Sequence, residues 1–124
     1  MELINQITGQ IIGAAFKVHS QLGPGLLESA YKECLYYELQ KMEMAVQKEC
    51  PLPLIYENIK MAIGYRVDLF VDQKVIVEVK AIEQITDIHV AQLLTYLKLS
   101  KCKIGLLLNF KVTDMKKGIR RLIL

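Results

Sequence analysis

An α/β fold, a mixed sheet with helices on both faces, is what this 124-residue chain predicts, and three observations predict it. Apolar residues recur at the helical spacing of three and four in three separate segments. Short runs rich in Val, Ile and Leu lie between and after those segments and suit strands. The resulting order is helix, helix, three strands, helix, strand, strand, which suits a sheet covered on both sides.

Taken in order, Leu3, Ile4, Ile7, Ile11, Ala14, Ala15, Val18 and Leu22 form one helical stripe over residues 3–22, and Gly23-Pro24 stops it. A second helix is expected from Leu26 to Met42, with Leu27, Ala30, Tyr31, Cys34, Leu35 and Leu39 as its apolar side. Pro51 and Pro53 restrict residues 45–56 to an irregular or edge strand. Glu57-Asn58 reads as a turn into a strand over Ala62–Val71, and KVIVEVKA (74–81) as the next strand. Thr86 or Asp87 can cap a third helix that continues to about Leu99, with Ile88, Val90, Ala91, Leu93, Leu94 and Leu97 apolar. KIGLLLNF (103–110) suits a central strand and GIRRLIL (118–124) a last one. There is no repeat, low-complexity tract or linker, so residues 1–124 are expected to form one domain.

Composition narrows the class. With 52% hydrophobic and 23% charged residues the chain can fill a core and has no disordered bias. Cys34, Cys50 and Cys102 are odd in number, widely spaced and without a CxxC pair, which argues against a zinc site or disulfide framework and for a reducing compartment. No apolar run reaches bilayer length, and Glu2 stands where a signal peptide would be basic. A cytoplasmic protein with no membrane partner is the expectation. Charge is unevenly spread: residues 98–124 carry +7 and residues 1–97 carry −4. A solvated basic surface is the common meaning of such asymmetry. A surface for nucleic-acid phosphates, through Lys116, Lys117, Arg120 and Arg121, is the sharper one.

The two strands around Asp72-Gln73-Lys74 carry the chemistry. Alternation puts Val67, Leu69 and Val71 on one face and Arg66, Asp68 and Phe70 on the other. In the following strand it sets Val75, Val77, Val79 and Ala81 against Ile76, Glu78 and Lys80. The valine faces coincide if the loop is odd, with Val71 opposite Val75. Asp68 then falls opposite Glu78, and facing carboxylates destabilise a ladder. A divalent cation between them resolves the conflict, and Lys80 can reach the same centre. Two acids and a lysine around Mg²⁺ can bind a phosphate and acidify a water, as phosphodiester hydrolysis requires.

Asp68 followed by Glu78-Val79-Lys80 resembles the D…ExK signature of the PD-(D/E)xK nuclease superfamily. GLLESAY (25–31), led in by VHSQLGPG (18–25), resembles the defining motif of the small GxxExxY proteins of that superfamily. QLLTY (92–96) resembles the QxxxY element of RecB-like nucleases. Tyr65-Arg66-Val67 departs from the pattern, since no Pro precedes Asp68. The resemblance covers residue 8 to the C-terminus and implies an αβββαβ core. It implies Asp68, Glu78 and Glu28 as ligands of Mg²⁺ or Mn²⁺, Lys80 beside the attacking water, and Gln92 with the catalytic set. Tyr96 and Tyr31 would support the site. The function implied is a metal-dependent nuclease acting on DNA or RNA. The alternative is a non-catalytic nucleic-acid-binding or protein-interaction module that retains the fold. At this size, a homodimer or a partner protein would supply specificity.

Plainer meanings stand beside these. Glu28 also suits the first turn of a helix through the macrodipole. Gln92 and Tyr96, one turn apart, would also suit an exposed polar pair. Arg66 could be an ion-pair partner or a phosphate contact, and His19 and His89 lack metal-ligand spacing and read as structural or surface residues. A cross-strand salt-bridge ladder is the plain alternative for Asp68, Glu78 and Lys80.

Overall fold

The computed structural model describes residues 1–124. Helices α1 (Glu2–Leu22) and α2 (Glu28–Lys41) precede strands β1 (Val46–Tyr56), β2 (Ile59–Val71) and β3 (Val75–Lys80). Helix α3 (Asp87–Ser100), strand β4 (Ile104–Asn109), a 3-10 turn at Met115–Gly118 and strand β5 (Ile119–Ile123) follow. One sheet holds the strands in the order β1-β2-β3-β4-β5. Only β3 and β4, which α3 connects, are parallel. The other neighbours are antiparallel. The predicted α/β class and element order are those observed.

Two layers of side chains hold the helices to the sheet. On one face, Ile11, Ala15, Tyr31 and Leu35 of α1 and α2 pack with Leu69, Val77 and Leu106. On the other, Leu93 and Leu97 of α3 pack with Leu52, Ile76 and Leu107. Strands β3 and β4 are covered on both sides, which explains why their sequences run apolar with little alternation.

The chain reverses where its turn chemistry allows. Gly23 ends α1 at φ +71, and its N–H donates to the His19 carbonyl at 2.8 Å. Glu57 and Asn58 both take positive φ between the paired Tyr56 and Ile59, the conformation of a tight hairpin turn. Asp72 and Gln73 do the same, and the loop 72–74 sets Val71 opposite Val75 as the sequence predicts. Glycine is required at 118, where a Cβ would lie 2.1 Å from the Asn109 carbonyl oxygen.

Several expectations need correction. Leu27 is 77% exposed, because it is the extended N-cap of α2 and its side chain leaves the helical face. Ile88 is 76% exposed and Ala91 is also exposed. At 100° per residue both point away from Leu93 and Leu97, so the apolar set of α3 spans more than its buried face. Strand β2 begins at Ile59, earlier than expected, and forms a long arm with β1 beyond the rest of the sheet. Most consequentially, Val67 does not share a layer with Leu69 and Val71. It packs with Leu52 and Ile76 on the α3 side. The β1–β2 pairing runs through Lys48↔Leu69 and Cys50↔Val67 but omits Glu49 and Asp68. Glu49 takes φ +55 there, and such a local irregularity turns a strand and resets its alternation.

Candidate active site

The sequence places Asp68 opposite Glu78; the structure makes this the point where strands β2 and β3 part. Their backbone pairing stops at Leu69↔Val77. One residue further on, side chains take over from the ladder. The Asp68 N–H donates to Glu78 Oε2 at 2.7 Å, and the Val79 N–H donates to Asp68 Oδ2 at 2.8 Å. This clasp satisfies backbone donors that the fork would otherwise strand, since a buried N–H without a partner is costly. It leaves each carboxylate a second oxygen.

Glu78 is only 5% exposed. Burial first, and then the negative charge of Asp68, pushes its carboxyl up to about 8, against the smaller opposing effects of the Asp68 N–H and Lys80. Lys80 lies half-buried at the end of β3, beside Asn109 of β4 in the parallel register. Glu28, exposed in the first turn of α2, also adds to the upward shift of Glu78. Its Oε2 accepts from the Ala81 N–H at 3.3 Å and ties α2 to the residue after Lys80. Asp68, Glu78 and Lys80 are thus brought together, with Glu28 at their border.

Helix α3 supplies the other wall. Tyr96 is 6% exposed, and its ring centroid lies 5.9 Å from that of Tyr65. Desolvation, followed by the charge of Glu78, raises its phenol above the usual range. Tyr96 lines a cleft of about 250 Å³ with Leu54, Tyr65, Gln92, Thr95 and Leu99, so Gln92 and Tyr96 do share a face. Gln92 itself is exposed. Tyr31 serves the opposite layer. Its hydroxyl donates to the Gly23 carbonyl at 2.5 Å and accepts from the Leu26 N–H at 3.0 Å, and its ring stacks on Phe110 with centroids 4.6 Å apart. The tyrosine of GLLESAY therefore holds the loop leading to Glu28. A Cβ on Gly25 would meet nothing within 4 Å, so no crowding requires glycine there.

The four basic residues near the C-terminus divide between surfaces. Lys117 and Arg120 line a cleft of about 160 Å³ with Glu83, Gln84, Ile85 and Asn109, next to the segment leaving Lys80. Arg121 contacts Asn5 of α1 instead, as strand alternation requires, and Lys116 is exposed in the 3-10 turn. Both histidines are structural: His19 Nε2 bonds the Val112 carbonyl at 2.7 Å, and His89 Nδ1 accepts from the Thr86 N–H at 2.9 Å to cap α3.

Three residues of the neighbourhood escaped the sequence reading. Lys32 contacts Glu49 and lies 3.7 Å from Asp68 Oδ1. Its position four residues after Glu28, on the same helical face, was the available signal. Nothing in the sequence marks Glu49, because its backbone turn arises from pairing with β2. Asn109 is 3% exposed and clasps the chain after Lys80, with Oδ1 accepting from the Ile82 N–H at 3.1 Å and Nδ2 donating to the Ile82 carbonyl at 2.9 Å. A lone amide ending an apolar strand could have been noticed.

The donor set suits a hard divalent cation. Asp68 and Glu78 each keep an oxygen outside the clasp, and a cation would offset the burial and the charge of Asp68 that together hold Glu78 protonated to about 8. No three acidic, His or Cys side chains converge tightly enough to enclose a metal, so waters would complete its shell.

Two acids and a lysine thus stand at the fork of an αβββαβ sheet. Residues 5–122 match the model of the PD-(D/E)XK nuclease superfamily, and the chain belongs to that superfamily. Members typically use divalent metals and act on nucleic acids. No curated protein and no solved structure gives a significant match. No helix is long and apolar enough to cross a membrane.

Proposed function

We propose that this chain is a single-domain, Mg²⁺- or Mn²⁺-dependent nuclease of the GxxExxY type that hydrolyses phosphodiester bonds in DNA or RNA. The reciprocal clasp of Asp68 and Glu78 beside Lys80 carries the reading. It fixes both carboxyl groups where the strands part and leaves each a second oxygen. Asp68 and Glu78 would hold the metal, which would supply positive charge for the phosphate and a water of lowered pKa. The Lys80 ammonium would orient the attacking water and stabilise the charge growing on the phosphate as the water oxygen bonds to phosphorus and gives up its proton to solvent, while the P–O bond to the leaving oxygen breaks and that oxygen takes a proton from water. Glu28 holds the backbone behind Lys80. Tyr96 and Gln92, the QxxxY pair, form the wall along which substrate lies, and Lys117 and Arg120 hold phosphates further along the strand. Lys116 and Arg121 add less directed positive charge. The setting is cytoplasmic.

The test is incubation with single- and double-stranded DNA and RNA in Mg²⁺, Mn²⁺ or EDTA, comparing wild type with Lys80→Ala. Products that require metal and Lys80 support the reading; activity that survives EDTA or Lys80→Ala overturns it.

A second reading, a non-catalytic interaction module, draws on the β1–β2 arm. Ile55, Tyr56, Ile59 and Ile63 are all exposed there, beside a groove of about 410 Å³ that Pro51, Pro53 and Met61 help to line. Such an arm suits a partner or a second copy of the chain. Nucleic-acid binding or partner binding without cleavage in any metal would favour it.

A further inference from the structure

We propose that Lys32, seated by Glu49, is a built-in cation for Asp68 that competes with the divalent metal for one carboxylate oxygen. The inference rests on the reading that Asp68 and Glu78 are metal ligands. Asp68 Oδ2 is committed to the Val79 N–H, so Oδ1 is the oxygen left for a metal. Lys32 Nζ stands 3.7 Å from that same Oδ1. Its other partner is Glu49. An ammonium and a divalent ion repel, and both cannot sit on one oxygen.

The backbone at Glu49 is an independent observation. A glutamate at φ +55 within a strand is a sparsely populated conformation, and it persists only where surroundings impose it. It falls where the β1–β2 ladder skips Glu49 and Asp68, between Lys48↔Leu69 and Cys50↔Val67. This turn presents the Glu49 carboxylate to Lys32 at the edge of the fork. Glu49 therefore gives the ammonium a place to withdraw to when the metal takes Oδ1. Lys32 is a positioning residue: it acts through Asp68.

Mn²⁺ binding to EDTA-stripped, dialysed protein, measured by titration calorimetry without nucleic acid, tests this. Lys32→Met should tighten Mn²⁺ binding about tenfold, whereas Lys32→Arg, which keeps the charge, should stay within about twofold of wild type. Glu49→Gln should act in the opposite direction and weaken binding about threefold, because Lys32 then has only Asp68 to rest on. Lys48→Met is the control for net charge, since Lys48 pairs with Glu33 at 2.8 Å, and it should change binding by less than about twofold. Lys32→Gln repeats the main arm should the methionine variant fold poorly by circular dichroism. Binding by Lys32→Met no tighter than wild type, or a Lys48→Met effect of equal size, overturns the lysine's role while leaving the metal site standing. Absence of Mn²⁺ binding in every variant overturns both. Binding by Lys32→Met but not by wild type supports the proposal in its strongest form.

Discussion

The two ends of the β2–β3 hairpin obey opposite rules. At the closed end, Val71, Phe70 and Leu69 pair with Val75, Ile76 and Val77, and backbone bonds with apolar side chains set the spacing. One residue beyond, the ladder ends and carboxylates accept the backbone N–H groups instead. The closed end is stable because everything polar is paired within the sheet. The open end is also paired, with no buried side-chain polar atom left without a partner, yet it holds the Glu78 carboxyl in its neutral form up to about 8 through burial and the charge of Asp68. A fold can thus satisfy every hydrogen bond at a site and still leave an electrostatic conflict for a ligand to relieve.

Breaking the open end should cost activity before stability. Lys80→Ala should reduce metal-dependent cleavage by about a hundredfold or more with an unchanged circular dichroism spectrum, because it removes charge stabilisation needed only during reaction. Gel-based cleavage assays on the panel of nucleic acids read this directly.

Next in size is the effect of Glu78 on stability. Between the ordinary carboxylate range and about 8, the metal-free folded state holds a proton that the unfolded chain has lost. The Glu78 contribution should therefore be most favourable at acid pH and fall as pH rises, with the loss complete only above about 8. The penalty is of the order of a few kcal/mol. Glu78→Gln should flatten this dependence, leave the metal-free protein no less stable at pH 8, and abolish most of the stabilisation given by Mn²⁺. Thermal melts in EDTA and in a metal titration, at several pH values, check all three. A salt-bridge ladder would instead lose stability on Glu78→Gln and show no metal effect.

The closed, apolar side should respond in the reverse sense. Tyr31→Phe removes the hydroxyl that bridges Gly23 and Leu26 while keeping the ring on Phe110. A loss of about 0.5–1.5 kcal/mol in urea unfolding is expected, since a part-buried carbonyl and N–H lose their shared partner. Turnover at saturating metal should change far less than the Lys80 variant changes it.

The smallest effect belongs to the basic surface. Lys116→Glu with Lys117→Glu should weaken nucleic-acid binding several-fold across sequences and lower its salt slope. Lys117→Glu with Arg120→Glu should weaken it more than Lys116→Glu with Arg121→Glu, because only the first pair lines the cleft beside Asn109. Fluorescence anisotropy at several salt concentrations distinguishes the two pairs.

Local pattern accounts for much of this protein. The helix positions, the Gly23-Pro24 stop, the two hairpin turns and the Val71–Val75 register were legible, because each depends on residues close in sequence. The same register argument put Asp68 opposite Glu78, and motif spacing brought Lys80 to them. Tertiary structure alone determined the rest. The reset of alternation at Val67 follows from how β1 meets β2 at Glu49, a contact between strands rather than a property of either. The division of Arg120 from Arg121, and of Lys117 from Lys116, depends on which helix or loop covers each side of β5. Lys32 reaches Asp68 only because α2 packs across the fork, bringing together residues 36 positions apart. Periodicity reports which face a side chain takes within its own element; charge balance at the fork arises between elements, where no local pattern records it.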